Sequence, residues 1–213
     1  MQVEWFLRGK IMLRSIRGAL CAACLAPLAA DAADPMVFRE YFSAGASMRA
    51  WRGACDLATP AAGFSGLCDD SGTGSKVLGG YRMTRHTALE IAYDAFGRAS
   101  ATGTLSGAPI DGRLRGNGVS ASLVGWLPVG DDWDIGVKAG LMRWSVRAER
   151  YLSTRAEIRD DGFNATAGVA VTWYFQPQAG LRVDLDRHFA VGDAGTVGRY
   201  DIDALTIGLV LRF

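Results

Sequence analysis

The residues of this 213-residue chain that could do chemistry are two histidines, four cysteines and a set of charged side chains spaced among apolar ones. Nucleophilic catalysis needs a general base within hydrogen-bond reach of a nucleophile. His188 stands beside Arg187 and two residues from Asp186, so base and orienting acid are present, but no serine motif accompanies them. His86 falls in a short polar connection, Thr84-Arg85-His86. No catalytic, metal or cofactor-binding residue is assigned, no cofactor is expected, and the chain is read as a non-enzyme.

The cysteines divide into two pairs. Cys21 and Cys24 lie in an apolar run, Gly18 to Ala30, and neither follows the Leu-small-small triplet of a lipidation site. Cys55 and Cys68 lie in one long polar connection with no histidine nearby and without Cys-x-x-Cys spacing. In an oxidising compartment such a pair is expected to be bridged, which constrains the unfolded loop by about 3 kcal/mol in the chain-entropy picture.

Charges form two groups. Arg82, Glu90, Lys138, Arg182 and Asp184 each sit at a position alternating with apolar residues. If they converge, they form either a paired structural network or a gate in a narrow ion path. Arg147, Arg150, Arg155 and Arg159 are interspersed with Glu149, Glu157, Asp160 and Asp161. Guanidinium groups match phosphate oxygens bidentately, so these arginines are candidate contacts to lipopolysaccharide, the alternative being a solvated, self-compensated loop.

The elements that must position these groups begin after a leader. Arg14 and Arg17 precede the apolar run, which ends at Ala30-Asp31-Ala32. That is the pattern of a secretory signal peptide over residues 1–32, shorter than the roughly 20 residues of a spanning helix. Cleavage after Ala32 is expected, with Met1 or Met12 as initiator. Residues 33–213 then form one domain carrying 19 basic and 20 acidic residues, a net charge of −1, which gives no indication of nucleic-acid binding. Glycine numbers 27, above the roughly 7% of average proteins, and suits sheet, tight turns and crowded barrel walls.

Beyond Pro35 apolar residues recur with period two and nowhere with helical spacing. Phe163, Ala165, Ala167, Val169, Val171, Trp173 and Phe175 share one face; Leu205, Ile207, Leu209, Leu211 and Phe213 share another. Six further segments, starting near Phe42, Val77, Leu89, Val119, Trp133 and Leu181, make eight. Short connections (84–86, 128–132, 176–178) alternate with long polar ones (roughly 51–74, 97–115, 147–161, 188–199). Short turns on one side and long loops on the other mark transmembrane barrels. A soluble barrel would turn its apolar face inward. Here the apolar faces are nearly free of charge, and a basic side chain at the midplane of a lipid-facing surface costs about 2 to 4 kcal/mol, so the charged faces, which carry Asp94 and Asp186 beside the five residues above, are predicted to line the lumen. The expected fold is all-β: an eight-stranded antiparallel up-and-down transmembrane barrel preceded by a signal peptide. Tyr81, Trp133, Trp173, Phe175 and Phe213 near the turn ends are consistent with an interfacial girdle.

Gly79-Gly80-Tyr81 and Ala88-Leu89-Glu90-x-x-Tyr93, within the stretch Ser75 to Gly97, resemble the second and third strands of OmpA-like transmembrane domains, and the likeness extends over about residues 36–213. The resemblance implies a bacterial outer-membrane location, a monomer, contact with outer-membrane lipid and lipopolysaccharide, and Phe213 as the signal read by the outer-membrane assembly machinery. Proteins of the OmpA family carry a periplasmic peptidoglycan-binding domain after the barrel. The sequence stops at Phe213, so no such domain is expected from it and cell-wall tethering is not carried over. The expected function is non-enzymatic, contributing to envelope integrity or surface interaction through extracellular loops. Three alternatives stand beside it: an adhesin of the Opa or Ail kind with a surface ligand on its loops, a lipid A-modifying enzyme, and a narrow porin-like channel.

Overall fold

A computed structural model describes residues 38–56, 63–151 and 155–213; the leader expected over 1–32 lies outside them. The described chain is all strand: β1 (Glu40–Arg52), β2 (Phe64–Asp69), β3 (Ser71–Arg82), β4 (Thr87–Leu105), β5 (Ala108–Val129), β6 (Trp133–Tyr151), β7 (Arg155–Gln176), β8 (Ala179–Val191) and β9 (Tyr200–Arg212). Every neighbour is antiparallel, and the order β4-β3-β1-β9-β8-β7-β6-β5 closes through a β4–β5 pairing. Eight strands therefore form the barrel. The ninth, β2, continues the line of β3 after a break at Asp70 and pairs with the far half of β4, from Phe64↔Leu105 to Asp69↔Ser100.

Period-two alternation explains the closure. Along β5 the outward residues Val119, Leu123, Leu127 and Val129 are exposed while Ser120, Ser122, Val124 and Trp126 between them are buried. The same division runs through β9, where Ile207, Leu209 and Leu211 face out and Thr206 and Val210 face in. A belt of exposed Leu, Ile, Val and Phe around a whole barrel would be an aggregation surface in water; against hydrocarbon it is the stable arrangement. Trp133 stacks on Trp173 at 6.1 Å and Trp173 meets Phe175 edge-on at 6.0 Å, forming the aromatic part of the belt beside the turns.

The turn end and the opposite end differ, but not as loops do. The long connections expected over 97–115 and 147–161 are largely strand. β4 and β5 run to Leu105 and from Ala108, joined by the two-residue turn Ser106-Gly107, both with positive φ (50° and 83°), the hairpin geometry whose twist matches its strands. β6 and β7 likewise extend to Tyr151 and from Arg155. Strands of 19 and 22 residues exceed the roughly 9–11 that cross a bilayer, so these two hairpins stand well beyond the apolar belt.

A bulge between Ala95 and Arg98 bends β4 where the belt ends. Gly97 takes φ +74° there, a conformation costly for any residue with a Cβ, and its ideal Cβ would collide with the Thr73 backbone. Phe96 keeps the inward parity of Ala92 and Asp94, and the extra residue then resets the alternation, so that Arg98 points out of the barrel and Ala99 into it.

Candidate functional site

Two places gather polar side chains with order: the lumen and the outward rim above the belt. In the lumen, Glu90 on β4, Lys138 on β6 and Arg182 and Asp184 on β8 meet. Arg182 is the hub, donating from Nη1 and Nη2 to Glu90 Oε1 (2.7 Å) and Oε2 (3.0 Å), and from Nε and Nη2 to Asp184 Oδ2 and Oδ1 (2.9 Å each). Tyr41 donates its hydroxyl to Glu90 Oε1 at 2.6 Å. Lys138 joins Asp184 and reaches Asp186 Oδ1 at 2.8 Å, and Lys76 holds the other Asp186 oxygen. Arg82 belongs to a separate pair with Asp134 nearer the turn end, its guanidinium 5.2 Å from the Trp126 ring.

Asp94 and Asp186 face the lumen as expected from sequence, Asp94 pairing with Arg49 at 2.9 Å, whereas Lys76, Asp134, Tyr41 and Arg49 were not among the lumen residues assigned from sequence. Their inward parity was available as a signal, but strand partners were not. Side chains on strands that do not pair meet across the lumen only after the sheet closes, as when Lys76 on β3 reaches Asp186 on β8. Arg49 Nε and Nη1 and Asp94 Oδ2 find no hydrogen-bond partner among the described residues, making this the least satisfied layer.

The network lies between two apolar clusters. Tyr41, Leu78, Val124, Trp126, Tyr174 and Val210 pack toward the turn end, while Trp51, Phe96, Leu114, Met142, Trp144 and Ile202 pack toward the hairpin end. Trp51 meets Phe96 edge-on at 6.0 Å, and both are fully buried. The interior is therefore layered, with the ion pairs between two apolar clusters. Room for the aromatics comes from glycines on neighbouring strands: a Cβ at Gly136 would lie 2.7 Å from the Trp126 ring.

His188 is buried in the lumen, with Nδ1 3.0 Å from Thr166 Oγ1 and its ring tilted against Phe96 at 5.2 Å. Asp186 is engaged by two lysines rather than by His188. His86 sits in the β3–β4 turn with Nδ1 3.2 Å from the Trp126 carbonyl. Among the described residues no group of three His, Cys, Asp or Glu side chains is placed to hold a metal.

At the hairpin end Cys55 and Cys68 form a disulfide, Cα–Cα 5.9 Å, tying the β1–β2 connection to β2. Beside it Asp69 accepts from the Ser71 hydroxyl (2.6 Å) and backbone N–H (3.0 Å), which holds its carboxyl below the usual carboxylate range. On the outward rim Arg147 Nε pairs with Glu157 at 3.0 Å, and Arg159 lies directly opposite Arg147 in register. The side chains of Arg150 and Arg155 lie outside what the structure describes. At the other end of the barrel Phe213 is exposed on the apolar face, with its N–H donating to Glu40 O (2.8 Å) and its carbonyl accepting from Arg39 (3.0 Å).

An outward belt nearly free of charge, polar residues facing in and a strand-closed wall are shared by outer-membrane barrels. Residues 41–213 match the OmpA-like transmembrane domain family. The chain belongs to that family. Outer membrane protein A of Klebsiella aerogenes is 29% identical over 150 residues, 70% of this chain and 41% of that protein; the Klebsiella pneumoniae protein is 30% identical over 145 residues, 66% and 41%. The chain thus spans about two fifths of the length of these curated relatives. Among solved structures, Ail of Yersinia pestis, in complex with the heparin analogue sucrose octasulfate, superposes with a TM-score of 0.55 at 12% identity, over 84% of this chain and all of that one. Neisserial surface protein A gives 0.51 at 16%, over 82% and 97%. These likenesses show the fold. Family membership makes this OmpA-like domain a protein of the bacterial outer membrane.

Proposed function

We propose that this OmpA-like domain is a sealed, monomeric outer-membrane anchor that acts without a catalytic step, stiffening the envelope and presenting two rigid β-hairpins outside the cell. The observation that carries the reading is the layered plug: ion pairs centred on Arg182, enclosed above and below by buried aromatics. Eight-stranded barrels are just wide enough for side chains to fill, and a fully paired buried network rigidifies what it crosses. Absence of single-channel steps in planar bilayers supports the seal, and steady conductance rejects it. Unchanged lipid A mass spectra on overexpression support the non-enzymatic reading; a new lipid A species refutes it.

In this reading residues 1–32 are removed after Ala32, which N-terminal sequencing of the membrane-extracted protein tests. Phe213 serves as the assembly signal: F213A is expected to leave most of the protein unfolded in the periplasm, and normal outer-membrane recovery of that variant contradicts the role. The turns face the periplasm and the hairpins face out, as in barrels with short periplasmic turns.

A second reading, attachment to a surface ligand, is favoured by hairpins that continue as paired strand rather than loop, since a preorganised surface loses less entropy on binding. Cell-binding assays with the hairpin tips removed and the barrel intact separate the two.

A further inference from the structure

Sequence order scatters Arg98, Arg115, Arg147 and Arg159 over four strands, but the register aligns them. Arg98 pairs with Arg115, Arg115 with Arg147, and Arg147 with Arg159, so four arginines stand side by side across β4, β5, β6 and β7. With strands about 4.8 Å apart the row is about 15 Å long. All four line one outward depression of about 650 Å³, and Arg98, Arg115 and Arg159 are exposed.

Like charges directly opposite one another destabilise a sheet, so such a row calls for a counter-charge. Glu157 supplies one to Arg147. Arg98, Arg115 and Arg159 have no ion-pair partner among the described residues, although Glu149 borders the depression. Four residues nearer the turn end along β5, β6 and β7, the register gives an outward rank of Tyr93, Val119, Arg143 and Phe163, three of them exposed apolar or aromatic residues of the belt. The arginine row is four residues beyond that rank, about 14 Å along a strand and about 10 Å along the normal at a tilt near 40°. Arginine stems reach back toward the apolar boundary, which brings the guanidinium groups to headgroup height. Arg143, with its guanidinium 5.8 Å from the Phe163 ring, already lies at the boundary itself.

We propose that Arg98, Arg115, Arg147 and Arg159 bind the phosphate groups of a phosphorylated glycolipid in the outer leaflet, lipid A of lipopolysaccharide. Planar guanidinium forks take phosphate oxygens in pairs, and four in a line neutralise a bisphosphorylated headgroup while relieving their own repulsion. A lipid, rather than a soluble polyanion, is the occupant because the row is continuous with the lipid-facing belt and lies on the barrel wall, below the hairpin tips. The inference rests on the outward orientation of the hairpins proposed above. It selects Arg147 and Arg159 from the arginines singled out in sequence and adds Arg98 and Arg115.

The test uses the full chain folded in a sugar detergent without phosphate, titrated with bisphosphorylated lipid A, dephosphorylated lipid A and sucrose octasulfate. Native protein is expected to bind bisphosphorylated lipid A about tenfold or more tightly than the dephosphorylated form, and the variant R98Q/R115Q/R147Q/R159Q to lose about tenfold, with salt weakening the native complex. The corresponding fourfold lysine variant is expected to retain part of the binding, since it keeps charge without the fork. Equal affinity for the two lipid forms overturns the proposal, as does undiminished binding by the glutamine variant. Tighter, arginine-dependent binding of sucrose octasulfate than of lipid A also overturns it and assigns the row to sulfated glycans. Mobility of unboiled protein on a denaturing gel reports the fold in each sample. If the fourfold glutamine variant does not fold, R115Q and R159Q singly decide, each expected to weaken binding about threefold. Loss of heat-modifiable mobility in the native protein would strike the barrel reading itself, whereas failed lipid discrimination by a folded barrel strikes only this site.

Discussion

Glu90 accepts three hydrogen bonds in the lumen, from Tyr41 and from both terminal nitrogens of Arg182. Removing one partner of a buried ion pair leaves an uncompensated charge and costs about 3 to 5 kcal/mol, while replacing both partners with apolar groups costs far less. E90A is therefore expected to lower the urea midpoint of the folded barrel in vesicles sharply, read by tryptophan fluorescence. E90L/R182M should lose less than the sum of the two single variants, because Lys138 still balances Asp184. Additive losses would show that Glu90 and Arg182 do not act as a unit. Gly136 offers a complementary probe. G136V pushes a branched side chain into the Trp126 ring and should destabilise by about 1 to 3 kcal/mol in the same assay, and an unchanged midpoint would mean that the turn-end cluster is loosely packed.

Among the elements, the strands within the belt were legible in sequence because lipid on one side and a filled lumen on the other impose alternation. Phe163 to Phe175 and Leu205 to Phe213 show it without interruption. The outer halves of β4 and β5 were not legible. Ala99 to Leu105 is small and polar on both faces, since water lies on at least one side and the segment is held by register with β2 and β5 rather than by burial. The arginine row was hidden for a related reason: pairing depends on the β4 bulge at Gly97, and one residue more or less would turn Arg98 inward. Inward Trp51, Trp126 and Trp144 escaped notice because each breaks the small-or-polar pattern of its own face, to be accommodated by a glycine on another strand. Replacing Thr102–Asp111 with Asn-Gly should close the shortened β4–β5 hairpin at Ala101↔Gly112 and leave heat-modifiable mobility intact. Loss of the folded band would mean that the extension is needed to close the barrel. C55S/C68S is likewise expected to keep the barrel and to expose the β1–β2 connection to protease, the bridge contributing about 3 kcal/mol to that connection.

For the whole molecule, the two polar arrangements divide the work. The interior spends its charges on one another, Arg182 with Glu90 and Asp184, and Lys138 and Lys76 with Asp186, between two clusters of buried aromatic and apolar side chains. The exterior holds a belt nearly free of charge and, beyond it, a row of arginines in register, proposed to meet the phosphates of the leaflet. On the proposed reading such a barrel is a rigid body in the membrane rather than a passage through it. The most direct test is single-channel recording of the protein reconstituted in planar bilayers, with its folded state verified by unboiled-gel mobility in the same preparation. The expected result is a current indistinguishable from the bare bilayer, and steady ion-conducting steps from folded protein would contradict the account.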